Sequence, residues 1–144
     1  MNHDLPEKAV TIAYTVPYAD TDRMGIVYYA NYLEYFERLR NELIRTCGLS
    51  YREVEESGVG LPVIEAHVEY IAPAEYDDQL DISGFVEWIQ GSRLCVQYRI
   101  NRGEDHLVSG YTIHSAAALE GGMPRRVPKQ LTDFFADVVR RGEA

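Results

Sequence analysis

Between Ile26 and Cys47 the apolar residues Tyr29, Leu33, Phe36, Leu39, Leu43 and Cys47 recur every three or four positions. That spacing predicts one helix of about six turns with a single apolar stripe. Glu34 with Arg38, and Arg38 with Glu42, stand i,i+4 on its wetter face. Gly48 is a natural stop, since glycine takes the left-handed conformation that ends helices. Nearly everything else in the chain has a different period, so the stripe must be covered by sheet.

Val10, Ile12, Tyr14 and Val16 alternate with Thr11, Ala13 and Thr15, which predicts a strand that Pro17 ends. Ser50 with Glu53 predicts a capping box on a shorter helix that stops at Gly58. Ile64, Ala66, Val68 and Tyr70 alternate in turn, up to Pro73. Leu80, Ile82, Val86 and Trp88 share one parity, Gln90-Gly91-Ser92 reads as a hairpin turn, and Leu94, Val96, Tyr98 and Ile100 resume the alternation. A turn at 102–105 leads into a fifth strand over His106–Leu119, broken at Gly121-Gly122, and Pro128 to Arg141 has helical spacing. The short turns imply antiparallel pairing. The expectation is an α+β domain over 1–144, a sheet packed on one long helix.

The formal charge, 14 − 23 = −9, argues against nucleic acid, which needs a basic stripe. No segment reaches the roughly 18 apolar residues of a membrane span, and no signal peptide opens the chain, so it reads as cytoplasmic. Cys47 and Cys95 form no C-x-x-C and read as buried free thiols. His3, His67, His106 and His114 have no metal-ligand spacing; His67 and His114 read as strand-surface or hydrogen-bonded core residues. Asp20-Thr21-Asp22-Arg23-Met24-Gly25 begins like a calcium loop, but Met24 and Asn31 stand where oxygen ligands belong, so no metal is expected.

The chemistry concentrates where the loop meets the long helix. Asp22 lies in a short loop containing Gly25, and the first N–H groups of a helix lack intrahelical partners. An ionised acid beside such donors can attack a carbonyl while the donors hold the resulting oxyanion. The bland alternative is an Asx turn or a helix cap. Ile26 and Val27 make the entrance apolar, and Tyr28, Tyr29, Tyr32 and Tyr35 read either as packing or as the lining of an acyl or aryl pocket. Arg125, Arg126 and Lys129 form the densest cationic group of an acidic chain, the best candidate phosphate patch.

The run Tyr18-x-Asp-Thr-Asp-x-x-Gly-Ile-Val-Tyr-Tyr-Ala-Asn-Tyr-Leu-x-Tyr-Phe-Glu-Arg resembles the signature of the hotdog-fold acyl-CoA thioesterases, in the branch named for 4-hydroxybenzoyl-CoA thioesterase. Pro73-Ala-x-Tyr76 followed by Asp78 is similar to the same branch. The resemblance implies a curved antiparallel sheet wrapped around the helix, and a dimer joined edge to edge, often doubled into a tetramer, with active sites at the dimer interface. It implies that Asp22 is catalytic, as nucleophile or general base, and that the backbone N–H of Tyr29 polarises a thioester carbonyl. Gly25, Ile26, Val27 and Tyr32 would line the substrate, and Arg125, Arg126 and Lys129 would take the CoA phosphates. Some members carry a histidine where this chain has Tyr29. No cofactor is implied, because CoA arrives as part of the substrate. The alternatives are a hotdog dehydratase, against which the missing helix histidine counts, and a non-catalytic module binding acyl-CoA or an acyl carrier.

Overall fold

The computed structural model describes residues 5–141 of the chain; His3 lies outside them. In chain order the elements are β1 (Val10–Thr15), α1 (Asn31–Arg45), α2 (Tyr51–Glu56), β2 (Val59–Gly60), β3 (Val63–Tyr70), β4 (Gln79–Gln90), β5 (Arg93–Arg102), β6 (Asp105–Ser115), β7 (Ala117–Ala118) and α3 (Lys129–Phe134). Five strands form one antiparallel sheet in the order β1-β4-β5-β6-β3, and β2 pairs with β7 in a separate two-stranded ribbon. Tight turns at Gly91-Ser92 and Gly103-Glu104 join β4 to β5 and β5 to β6.

The helix α1 lies against one face of the sheet and buries Tyr32, Tyr35, Phe36, Leu39, Leu43 and Ile44. Phe36 stacks on Tyr98 of β5 with ring centroids 4.2 Å apart. Burying side chains such as Phe36 and Leu39 is worth about 2 kcal/mol each. Two glycines let the helix come this close. A Cβ on Gly84 would run into Leu39 and the carbonyl of Gln97, and one on Gly110 into the carbonyl of His67 and the ring of Phe36.

The antiparallel sheet, the five strands and the Ser50–Glu53 capping box match the expectation. Four details do not. The helix begins at Asn31, five residues later than its periodicity suggested. Its stripe is also rotated at the start, with Tyr32 at 2 % exposure while Tyr29 and Leu33 stand out at 60 % and 41 %. The reason is chemical: phenols can be buried where their hydroxyls find partners, and those of Tyr32 and Tyr35 do. A bulge between Val86 and Trp88 reverses the parity of β4, so Ile89 enters the core and Trp88 turns to the outer face. The C-terminal helix stops at Phe134, with a short 3₁₀ turn over Ala136–Val138.

The two edges of the sheet differ. Along β1 half-buried and exposed residues alternate, whereas β3 is exposed almost throughout, with Val63, Ile64 and Tyr70 in the open. Among the described residues no helix is long and apolar enough to cross a membrane.

Candidate active site

Residues 20–28 form a closed loop between the 3₁₀ turn Tyr18–Asp20 and α1. Its neck is held by Tyr28 N–H donating to the Asp20 carbonyl (3.0 Å) and by an antiparallel bridge between Thr21 and Val27. At its tip the Asp22 N–H donates to the Ile26 carbonyl (2.9 Å) and the Gly25 N–H to the Asp22 carbonyl (3.0 Å). The Met24 N–H donates to Asp22 Oδ1 (2.8 Å), an Asx turn that leaves Oδ2 free to meet a proton or a carbonyl carbon. The bland reading of Asp22 as a turn-former is therefore true of one oxygen and silent about the other.

Gly25 has φ +79°, and nothing lies within 4 Å of where its Cβ would be. Within one chain the glycine is required by backbone conformation, not by a crowded approach.

The helix start supplies the donors. Asn31, Tyr32 and Leu33 already give their N–H groups to the carbonyls of Tyr28, Tyr29 and Ala30. Among the described residues neither Tyr29 nor Ala30 donates its N–H to a backbone carbonyl, and the Ala30 cap has no side-chain hydrogen bond. Tyr29 thus lies just before the helix rather than inside it, and the positive end of the helix dipole sits behind it. The Tyr29 carbonyl accepts the Tyr70 hydroxyl at 3.1 Å, which ties this turn to the exposed end of β3.

Two carboxylates hold the loop from below. Asp20 Oδ2 accepts the hydroxyls of Tyr14 on β1 (2.8 Å) and Tyr35 on α1 (2.7 Å). Burial, then the hydrogen bond to Asp20, pushes the Tyr14 phenol up to about 12, and the Tyr35 phenol rises for the same two reasons. The second carboxylate is Asp78, which pairs with Arg102 at 2.7 Å and accepts the Glu75 N–H at 2.7 Å. That fixes the 73–78 loop, whose Ala74 carbonyl accepts the Val27 N–H at 2.8 Å and whose Glu75 bridges Ile26. The Ala74 N–H is taken by the buried Tyr32 hydroxyl at 3.1 Å. Sequence reasoning missed the part played by Asp20, Asp78 and Arg102; the further acids within the two signature runs were the one signal that could have found them.

Of the expected substrate-lining residues, Gly25 and Ile26 lie at the surface of the loop, but Val27 and Tyr32 are only 3 % and 2 % exposed. Those two belong to the core and support the loop from beneath. The expected phosphate group lies away from the loop. Arg125, Arg126 and Lys129 line one cleft with Arg93, Arg140, Arg141 and Trp88 at the β4–β5 turn, and Lys129 also pairs with Asp133 at 2.6 Å. The Asp22 loop adjoins the start of β4 and this cleft its end; β4 has 12 residues, about 36 Å of strand. In a single chain these cations do not face Asp22. Charge density along the sequence carried no information about which end of the sheet they occupy.

A third polar group lies inside, toward the C-terminal half of α1. Arg40 Nη1 donates to the Tyr98 hydroxyl (3.1 Å), which bonds Thr112 Oγ1 (2.6 Å), which bonds His114 Nε2 (2.8 Å), and His114 Nδ1 bonds the Leu61 carbonyl (2.8 Å). The Leu61 carbonyl can only accept, so the His114 Nδ1 carries a proton; with the imidazole neutral, Nε2 accepts from Thr112, whose oxygen in turn accepts from Tyr98. Burial pushes that imidazole down to about 4. His114 is the hydrogen-bonded core residue anticipated, and His67 stands exposed on β3, in contact with Glu69 at 3.7 Å. Cys47 and Cys95 are both free and buried.

Comparisons with known proteins bear on the family and the fold. Residues 16–135 match the family model of the Thioesterase-like superfamily. The chain is 33 % identical over 121 residues to the acyl-CoA thioester hydrolase YbgC of Escherichia coli O157:H7, covering 83 % of this chain and 90 % of that one. It is 32 % identical over 122 residues to the acyl-CoA thioesterase YbgC of Haemophilus influenzae, covering 83 % and 89 %. The crystal structure of Slr0204, a 1,4-dihydroxy-2-naphthoyl-CoA thioesterase from Synechocystis, superposes with a TM-score of 0.83 at 25 % identity, covering 90 % of this chain and 97 % of that one. With the signature loop, the sheet wrapped on α1 and these relatives together, the chain belongs to the thioesterase-like superfamily, among its hotdog-fold acyl-CoA thioesterases.

Proposed function

We propose that this protein hydrolyses an acyl-CoA thioester to the free acid and CoA, with Asp22 as the catalytic carboxylate and the Tyr29 N–H as the oxyanion donor. One observation carries the reading. A carboxylate oxygen left out of its own turn, and an N–H left without a backbone acceptor, flank the same short loop. The thioester carbon is attacked by Asp22 itself, or by a water whose proton Asp22 takes. On either route the carbonyl oxygen gains charge beside Tyr29, the C–S bond breaks, the sulfur leaves and is protonated, and water supplies the hydroxyl of the product acid. Removing one oxyanion donor of this kind costs about 2.7–4 kcal/mol of barrier.

The reading requires a second copy of the chain. Asp22 is exposed in one protomer, and the principal clefts lie elsewhere. The open β3 edge, with Val63, Ile64 and Tyr70 exposed, is suited to antiparallel pairing about a two-fold axis. Such pairing sets the Val63 end of one copy beside the Tyr70 end of the other. Arg125 and Arg126 of one copy then approach the Asp22 loop of its partner, which is how they would reach CoA phosphates. The buried free thiols speak for a reducing, cytoplasmic setting.

The test is thiol release from short, long and aromatic acyl-CoAs, with Asp22→Asn as control. The variant is expected to keep its fold and lose at least about a hundredfold in kcat. Turnover close to the parent's would remove Asp22 from the mechanism.

A further inference from the structure

From the hydrogen bonds of the loop neck we infer that Asp20, not itself in contact with substrate, is the positioning residue that fixes the Asp22 carboxylate relative to the Tyr29 N–H. The inference rests on the proposed roles of those two groups and adds a residue to neither.

Asp20 sits where both sides of the loop meet. Asp22 follows it by two residues, and Tyr29 follows Tyr28, whose N–H donates to the Asp20 carbonyl at 3.0 Å. The same carbonyl accepts Asn31 Nδ2 at 2.9 Å, from the first residue of α1. The backbone of Asp20 therefore clasps the loop neck to the helix start. Its side chain bolts that clasp to the rest of the fold, since the two phenols come from different layers: Tyr14 from the sheet and Tyr35 from the helix. The rings of Tyr14 and Tyr35 also touch, with centroids 4.8 Å apart, and the Arg38 guanidinium lies 4.9 Å over Tyr14. No other carboxylate among the described residues is held by two tyrosine hydroxyls. Without the bolt, the neck keeps its backbone bonds but loses its fixed place against sheet and helix. A misplacement of about 1 Å between reacting groups costs about a hundredfold in rate.

The arrangement also sorts the two acids of the Asp-Thr-Asp run. Asp22 points one oxygen out of its turn, whereas Asp20 spends its oxygen Oδ2 on two inward hydroxyls. Asn at position 20 retains a carbonyl oxygen that can accept both phenols; Ala retains nothing.

The experiment compares Asp20→Ala, Asp20→Asn, the Tyr14→Phe/Tyr35→Phe double variant and Asp22→Asn as dimers in the thiol-release assay, with thermal melts alongside. Asp20→Ala is expected to lose about 30- to 100-fold in kcat with KM within about threefold, because only the relative placement of reacting groups changes. Asp20→Asn should recover to within about fivefold of the parent, and the double Phe variant should fall about tenfold in kcat. Such a split, rescued by the amide, is not what a mere loss of folded protein produces. If Asp20→Ala does not fold, the double Phe variant and the Asn variant decide. The inference is overturned if kcat stays within about threefold of the parent in whichever of the Ala and double Phe variants folds, or if Asn falls as far as Ala. A full rate in Asp22→Asn sinks the functional reading instead, and the two failures are therefore separable.

Discussion

The two ends of α1 rest on polar networks of opposite character. At its N-terminal end the network is built on half-buried acids: Asp20 under two phenols, and Asp78 paired with Arg102. Both acids belong to loops and take donors from the sheet and helix, Tyr14, Tyr35 and Arg102, with the Glu75 N–H besides, so what they fix is the course of the chain around Asp22. At the other end the Tyr98–Thr112–His114 chain is buried, neutral and directed, beside an apolar cavity of about 20 Å³, the room of a single water. It fixes packing between sheet and helix and touches no loop of the site. The difference teaches that polar groups inside one small core can serve two ends: one to fix the course of a loop, the other to specify a unique packing.

Variants should therefore divide by end. The largest effect is expected from Asp22→Asn, at least about a hundredfold in kcat with an unchanged melting temperature, read by thiol release and calorimetry. At the opposite end the expected effect is on stability and depends on pH. The His114 imidazole is pushed down to about 4 in the fold, while unfolded chains take up that proton near 6.5. Below about pH 6.5 the unfolded state binds the proton and the native state does not, so stability falls on acidification and levels off below about 4. The loss is about 3 kcal/mol at full extent, and denaturant melts of the parent against His114→Gln across this window should isolate it. If both proteins lose stability in parallel, the buried histidine is not the source.

A smaller effect sharpens the contrast between chains rather than within one. Replacing Arg125 and Arg126 together by Ala should raise KM about tenfold with kcat nearly unchanged, the value of losing charge-assisted contacts to phosphate. Mixing that variant with Asp22→Asn should restore activity in the hybrid dimer, because one of its two sites then has both the acid and the cations. No recovery on mixing would place the cations outside the site. The smallest effect is a control: Ser50→Ala, which removes the α2 cap, should cost about 1 kcal/mol of stability and leave kcat untouched.

Much of this architecture is written in local pattern. Alternation located β1, β3, β4, β5 and β6, Ser50 and Glu53 announced α2, and the Tyr18–Tyr32 run pointed to the Asp22 loop. What periodicity could not supply was any partner distant in sequence. Tyr32 and Tyr35 are buried because the Tyr32 hydroxyl accepts the Ala74 N–H and the Tyr35 hydroxyl donates to Asp20, so the helix face turned where a count of apolar residues did not say it would. Trp88 faced outward because one bulged residue reversed the parity of its strand. The cations were legible as a cluster, but which end of the sheet they occupy depends on how Val127 bonds to Gly91 and Arg125 to Ala116, contacts that no local pattern announces.

Gly84 and Gly110 have a reach beyond their size. Each faces a side chain of α1, Leu39 and Phe36, at a spot where even one methyl group has nowhere to go. Phe36 adjoins Tyr35, whose hydroxyl steadies Asp20, so a wedge under the helix would be transmitted along it like a lever to the mouth of the loop. The placement of the Asp22 loop is thus partly set by two residues in mid-sheet that carry no functional group at all.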